Sequence, residues 1–278
     1  MTQNNNPLGA YFRHPELNLS LPSKGKYWTK DSLVMPESGE IPIQAMTGID
    51  EIAFKNADGL MSGDTTVSVI ESCCPSIKNA WQTPNIDLDP ILIAIRIASY
   101  GAEMDITTRC EKCDEFSDYT VDLRHILDQI KYPNYDEPIE IDQLSVFLKP
   151  SPFKIVNLNN QEIFEQRKAL ISIQDANVPT EQKEKLVREA IKRLTDITVT
   201  RLVHYIEKVV MPDGKVVSEP KWLDEFINNC DQKTYNLLKD GISAKNEEYQ
   251  LPKMNVTCDK CGNVEEKEFQ FDPASFFA

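Results

Sequence analysis

Two Cys-x-x-Cys pairs constrain the fold of this chain more than any other feature of its sequence. The first pair is Cys110-Glu111-Lys112-Cys113 and the second is Cys258-Asp259-Lys260-Cys261. A two-residue spacer lets both sulfurs of a tight turn point at one metal ion, with Zn–S distances of about 2.3 Å. Because residues 114–257 separate the pairs, a shared ion would bring distant parts of the chain together.

Strand-like segments flank both pairs. Ile106 precedes the first pair, and alternating apolar residues from Tyr119 to Leu123 follow it. Residues 255–257 precede the second pair, and a second alternating segment at 267–271 follows. We therefore predict a zinc ribbon split between residues 104–123 and 254–271, with one zinc ion per chain. Four thiolates leave no open position for water, so the predicted site is structural. Its predicted ligands are Cys110, Cys113, Cys258 and Cys261.

The cysteine pattern leaves other chemistries open. Four cysteines can also hold an iron–sulfur cluster, or the pairs can be redox-active or idle thiols. A thioredoxin-like redox pair is found at a helix N-terminus after a strand, which is not the predicted context of either pair. The other cysteines, Cys73, Cys74 and Cys230, stand in apolar helical segments, where core packing is the expected role.

Charge and hydropathy limit the classes of partner. The net charge is −14, and residues 101–142 contain 4 basic and 12 acidic residues. Nucleic-acid binding draws its affinity from basic surfaces, so we expect a basic protein partner and no nucleic acid. The longest apolar stretch, Ile91–Ile95, ends at Arg96 and is far shorter than the roughly 20 residues of a membrane span. The N-terminal residues lack a secretory pattern, which predicts folding in a cytoplasm with reduced thiols.

Enzyme motifs are missing from the sequence. There is no glycine-rich phosphate loop, no nucleophile elbow and no His-x-x-x-His pair. The three histidines, His14, His125 and His204, are scattered along the chain. The sequence therefore predicts a protein that is not an enzyme.

The remaining segments predict an α+β protein with a mainly helical body and small β-hairpins. Residues 1–32 are expected to form an extended arm attached through its aromatic residues. Residues 33–103 are expected to hold a hairpin, in which residues 33–35 pair with 41–43, and helices near 48–58, 65–73 and 88–99. Thr47 is the expected N-cap of the first helix and Gly101 the stop of the last.

Residues 124–253 predict a mostly helical insert between the cysteine pairs. Helical spacing covers 155–174, 180–209, 222–230 and 233–239. A turn at 211–215 is expected between two short strands. The tail, residues 272–278, carries Phe276 and Phe277, which we expect to pack on the body or on a partner.

The order of the segments resembles that of a known family. Leu21-Pro22-Ser23-Lys24-Gly25-Lys26-Tyr27-Trp28 comes first, then residues 43–47, Asp50-Glu51, residues 93–101 and the first cysteine pair. This order is similar to that of the base plate protein family of T-even-type contractile-tailed phages, mainly over residues 20–125. The resemblance implies a baseplate hub subunit or hub assembly protein.

The resemblance also implies where such a protein acts and with what. It would work in the host cytoplasm during tail assembly, with tail and hub proteins as partners, as a chaperone or as part of the virion baseplate. It brings no catalytic residues, and the oligomeric state stays open. The alternative is a zinc-ribbon factor that binds the transcription machinery or nucleic acid.

Overall fold

Helices and small antiparallel sheets make up the chain, which confirms the predicted α+β class. A computed structural model describes residues 7–54, 62–175 and 180–268. The chain divides into two compact units. Unit 1 comprises residues 1–80, 86–131 and 251–278, and unit 2 comprises residues 81–85 and 132–250.

The first sheet of unit 1 corrects the predicted hairpin. Strand β1 (Pro15–Leu19) pairs antiparallel with β2 (Ile41–Gln44). The strand at 41–44 was therefore expected, but residues 33–35 are not its partner. Leu33 instead forms an isolated bridge with Ile77. The pairing with β1 buries Ile41 completely, and this burial of apolar surface favours the long-range partner over the local one.

The segment predicted as an extended arm contains a strand and a series of turns. After β1, Leu21 is only 1% exposed and belongs to the core. Trp28 donates a hydrogen bond from Nε1 to Asp87 Oδ2 at 2.8 Å. Tyr11 and Phe12 are exposed, so only part of the expected aromatic attachment is present.

Local signals correctly predict the start of the first helix and the end of the helix before Gly101, while the predicted end of the first helix at residue 58 lies outside the described residues. Helix α1 (Gly48–Phe54) begins after Thr47, whose backbone N donates to Asp50 Oδ2 at 2.7 Å. Asp50 N lies 3.3 Å from Thr47 Oγ1 in return, which completes a reciprocal cap like the capping box. Gly101 has φ +89° and donates to Ile97 O, ending the helix before it.

Two longer helices and a short one also belong to unit 1. Helix α2 is Asp64–Cys73, α3 is Asn85–Tyr100 and α4 is Leu123–Gln129. The helix predicted at 88–99 begins earlier, at Asn85, because Ile86 extends its buried face by a turn. The core includes fully buried aliphatic residues from the first sheet, the turns after β1, α2, α3 and α4: Leu21, Ile41, Ile43, Ile70, Ile91, Leu92, Ile93, Ile95, Leu123 and Ile126.

Two further hairpins carry the cysteine pairs. Strands β3 (Glu103–Arg109) and β4 (Phe116–Asp122) form one antiparallel pair. Strands β9 (Lys253–Thr257) and β10 (Val264–Glu268) form the other. Both hairpins were predicted from the alternation beside each pair. Strand β10, however, begins at Val264, three residues before the predicted segment 267–271, of which residues 269–271 lie outside the described part of the chain.

Unit 2 combines helices with a sheet. Its helices are α5 (Phe153–Asp175), α6 (Thr180–Tyr205), α7 (Pro220–Asn229) and α8 (Gln232–Glu248). Its sheet has the order β5-β6-β7-β8, all antiparallel, built from Ile139–Ile141, Leu144–Leu148, Ile206–Val210 and Val216–Val217.

Three expectations for the insert need correction. The helix predicted to reach residue 209 ends at Tyr205, because Ile206–Val210 pair with β6. The strands of residues 139–148 were not predicted, so the insert is less helical than expected. The last helix was predicted to end at residue 239, but helix α8 continues past Gly241 to Glu248. The tail with Phe276 and Phe277 lies outside the described residues.

Candidate metal centre

The structure brings the four predicted cysteines together within unit 1. All four Sγ atoms lie within 4.8 Å of one another. Cys110 Sγ is 3.7 Å from Cys261 Sγ, and Cys113 Sγ is 3.6 Å from Cys258 Sγ. A tetrahedron of sulfurs around an ion at about 2.3 Å has edges of about 3.8 Å. The thiols therefore have the spacing that one tetrahedral metal ion requires.

The two cysteine turns have the same backbone geometry. In the first, Asp114 N donates to Cys110 O and Cys110 N donates to Glu115 O, each at 2.9 Å. In the second, Gly262 N donates to Cys258 O and Cys258 N donates to Asn263 O, each at 2.8 Å. The residue after each second cysteine has a positive φ, +66° at Asp114 and +68° at Gly262. Glycine and aspartate are among the residues that adopt this conformation most readily.

Side chains of each hairpin reach the cysteines of the other. Ser117 on β4 donates from Oγ to Cys258 Sγ at 3.6 Å. Glu265 on β10 accepts from Cys110 Sγ at 3.3 Å and from Glu111 N at 2.9 Å. Lys267 pairs with Glu111 at 2.7 Å and with Glu265 at 2.8 Å. Since the two hairpins are separate sheets, these side-chain contacts connect them directly.

The surrounding groups change the proton affinities at the site. The hydroxyl of Ser117 lowers the pKa of the Cys258 thiol to about 6. The Lys267 ammonium lowers the pKa of the Glu265 carboxyl to about 2. A thiolate is the form that binds a metal, and the four thiols differ in how easily they reach it: burial and contacts with the other cysteines raise the pKa of the Cys113 thiol to about 12. Cys110 and Cys258 are almost fully buried, whereas Cys261 is exposed.

The other cysteines lie away from this centre. Cys73 and Cys74 are fully buried, as core packing predicted. Burial raises the pKa of the Cys73 thiol to about 12 and raises that of Cys74 as well, which keeps both protonated. Cys230 is half-buried at the end of α7, with Sγ 3.4 Å from Ile227 O.

Sequence reasoning missed the contacts of Ser117, Glu265 and Lys267. The signal was present, because Ser117 and Glu265 both stand four residues after the second cysteine of their pair. An alignment of the two cysteine turns would have placed them at equivalent positions. The histidines do not join the site: His125 is on α4, His204 is on α6, and His14 precedes β1.

Comparison with known families identifies the chain. Residues 14–278 match the family described as T4 bacteriophage base plate protein. The chain belongs to this family. It is therefore a phage baseplate protein with a structural or assembly role, and its partners are tail and baseplate proteins. Membership of this family agrees with the structural or assembly role that the resemblance implied.

Two other comparisons add no relatives. Neither a curated protein nor a solved structure matches this chain significantly. Among the described helices, none combines the length and the apolar character needed to cross a membrane.

Proposed function

We propose that this baseplate protein is a non-enzymatic component that organises the hub of the baseplate and the start of the tail tube. The observation that carries the proposal is the four-thiol group, which is the most specific arrangement of side chains in a chain of the baseplate family. Four sulfurs around one ion leave no coordination position for a substrate or a water molecule. The most specific chemistry of the chain therefore serves its architecture.

The metal in this proposal is one zinc ion per chain, bound by Cys110, Cys113, Cys258 and Cys261. The short distances between Sγ atoms support a single ion. A cluster of four irons and four sulfides is larger than one ion and would need more widely spaced thiolates. Zinc prefers four ligands in a tetrahedron and has no redox chemistry, which suits a site that holds two hairpins together.

The surface beside the metal centre favours a protein partner over nucleic acid. On the exposed face of β3 and β4, Glu103 lies opposite Asp122, and Asp105 and Asp118 lie further along. Arg109 shares this face but forms a salt bridge with Asp114. Such a face repels phosphates and complements a basic protein surface, where charge sets orientation and register.

Elemental analysis tests the metal. Protein purified under reducing conditions should contain about one zinc atom per chain, by the stoichiometry of a closed four-cysteine site. Cys113→Ser and Cys258→Ser should each lose most of this zinc. Cys230→Ser is the matched control, because Cys230 lies outside the site, and it should retain the metal. Intact wild-type protein without metal would refute the proposed zinc site. Iron in place of zinc would show that the site binds iron.

Deletion of the gene in the phage tests the role in assembly. We expect lysates that contain heads without attached tails and incomplete baseplates, visible by electron microscopy. A plasmid copy should restore tails. Normal numbers of infectious, fully tailed particles after deletion would contradict the proposal, and so would a catalytic turnover that explains the defect. Mass spectrometry of purified virions then tells whether the protein stays in the particle or acts only in the host cytoplasm.

Charge reversal tests the partner surface in the same complementation assay. A copy with Asp105→Lys and Asp118→Lys should restore tails less well than wild type, because the altered face would repel a basic partner. The matched control is Glu37→Lys with Glu40→Lys, which changes the charge equally at another exposed site. Equal complementation by both double variants would exclude this face as the contact.

A further inference from the structure

The two cysteine hairpins make equivalent contacts with each other. The first cysteine of each pair lies close to the second cysteine of the other pair: Cys110 Sγ is 3.7 Å from Cys261 Sγ, and Cys258 Sγ is 3.6 Å from Cys113 Sγ. The residue four positions after each second cysteine also crosses to the other hairpin. Ser117 contacts Cys258, and Glu265 contacts Cys110. Equivalent positions therefore touch equivalent cysteines.

These crossing residues are enclosed. Ser117 is 5% exposed, and the side chain of Glu265 is 12% exposed. In contrast, the next residue on β10, Glu266, is exposed and lies opposite Asn255 in the ladder. The alternation of the strand thus points Glu265 inward, toward the cysteines, and Glu266 outward.

Glu265 makes further contacts besides the one with Cys110. Its Oε1 accepts from the backbone N of Glu111, inside the first cysteine turn, and from Asn263 Nδ2 at 2.6 Å. Lys267 neutralises its charge and also reaches the Glu111 carboxylate. One carboxylate therefore fixes the backbone of the first turn through the Glu111 amide, whereas its contact with Cys110 needs the thiol proton that a metal ion displaces.

We propose that Glu265 and Ser117 are positioning residues for the metal ligands: Ser117 donates to Cys258, and Glu265 holds the first cysteine turn through the Glu111 amide. This inference rests on the metal site proposed above. Outer-shell partners orient ligands, and their removal commonly costs roughly 10- to 100-fold in metal affinity. Glu265 should matter more than Ser117, because it also holds the Glu111 amide and is itself held by Lys267.

The rate of zinc release to a colorimetric chelator measures this effect on the full-length protein. Glu265→Ala should release zinc roughly 10 to 100 times faster than wild type, in line with the usual effect on affinity. Ser117→Ala should release it a few times faster. Glu265→Gln keeps an oxygen that can accept from Glu111 N, so it should behave nearer to wild type. Glu266→Ala is the matched control and should release zinc at the wild-type rate.

The absorption spectrum of the cobalt-substituted protein separates positioning from general stability. Distorted ligand geometry should shift the d–d bands of Glu265→Ala but not those of Glu266→Ala. If Glu265→Ala fails to fold, the comparison of Ser117→Ala with Glu266→Ala decides in the same two measurements. Equal release rates and spectra in variants and controls, with zinc bound to wild type, would overturn this inference alone. A wild-type protein that binds no metal would overturn the metal site as well.

Discussion

At the scale of single residues, Asp87 shows how a buried charge connects distant segments. Its carboxylate is completely buried and accepts hydrogen bonds from Ser23 N at 2.9 Å, from Ser23 Oγ and from Trp28 Nε1. Three donors satisfy the group, but burial still raises the pKa of Asp87 to about 6. The residue therefore attaches the turns after β1 to the first turn of α3, although its carboxyl group ionises less readily there than in water.

This raised pKa predicts a pH-dependent stability. The folded state holds the Asp87 proton more tightly than the unfolded chain, whose pKa is near 3.8. Stability from this group is full below pH 3.8 and is lost as the pH rises through about 6. The difference between the folded and unfolded pKa values of Asp87 corresponds to about 3 kcal/mol in the free energy of unfolding. Urea unfolding should show the wild type losing this amount relative to Asp87→Asn between about pH 4 and pH 7.

An exposed aspartate provides the control for that measurement. Asp64, in the first turn of α2, is exposed. Asp64→Asn removes a carboxylate that water surrounds in the folded chain, so it is measured beside Asp87→Asn under the same conditions. A pH-independent difference for Asp87→Asn would show that the buried carboxyl ionises without penalty.

At the scale of elements, α8 contains a glycine that helix propensity would not choose. Gly241 lies inside this 17-residue helix, although glycine costs about 1 kcal/mol relative to alanine there. The reason is the packing of α8 on β5. A Cβ at Gly241 would overlap Ile139 Cδ1 and lie 3.1 Å from Ile139 Cγ1. The close approach of the helix to the strand needs the missing side chain.

Two opposing effects decide the result of Gly241→Ala. The gain in helix propensity is about 1 kcal/mol, while overpacking typically costs about 1–3 kcal/mol. Because three atoms of Ile139 crowd the new Cβ, we expect a net loss of about 1 kcal/mol in the free energy of unfolding. Adding Ile139→Val, which removes Cδ1, should recover part of this loss in a double-mutant cycle.

A glycine in open space is the control for this cycle. Gly48 is the first residue of α1, and a Cβ added there would meet no atom within 4 Å. Gly48→Ala should therefore be neutral or slightly stabilising. If Gly241→Ala were stabilising by a similar amount, the close packing against Ile139 would not determine the choice of glycine.

At the scale of the whole molecule, the cysteine centre belongs to unit 1 although its ligands come from both ends of a long insertion. Residues 132–250, which lie between the two cysteine hairpins in sequence, fall in unit 2. Unit 2 has its own buried residues, among them Ile141, Val146, Leu148, Ile206, Leu223, Ile227, Leu238 and Ile242. A metal ion at the centre would hold together the two segments of unit 1 that flank the insertion.

Metal removal should therefore affect the units differently. After chelation, hydrogen exchange should increase in residues 103–122 and 253–268, because metal binding is coupled to the folding of such hairpins. Exchange in the sheet of unit 2, at 139–148 and 206–217, should change little. Mass spectrometry of peptides before and after chelation measures both. A uniform increase over the whole chain would contradict this separation.

Short-range patterns in the sequence determined the parts of this fold that depend on neighbours along the chain. The Cys-x-x-Cys turns, the cap at Thr47 and the stop at Gly101 each depend on a few adjacent residues. Their backbone geometry follows from residue type alone. The alternation beside each cysteine pair likewise predicted a strand on each side, although β10 begins three residues before the predicted segment.

The tertiary structure decided what depends on distant segments. The partner of β2 is β1 and not residues 33–35, and residues 206–210 leave a helical pattern to pair with β6. In both cases burial and ladder hydrogen bonds outweigh local preference, which is weaker than either. Glu265 and Lys267 look like ordinary charged residues of an exposed strand in sequence. In the folded chain the two hairpins approach each other, and these side chains contact Cys110 and Glu111. Local patterns do not predict such contacts, because they join residues more than 150 positions apart.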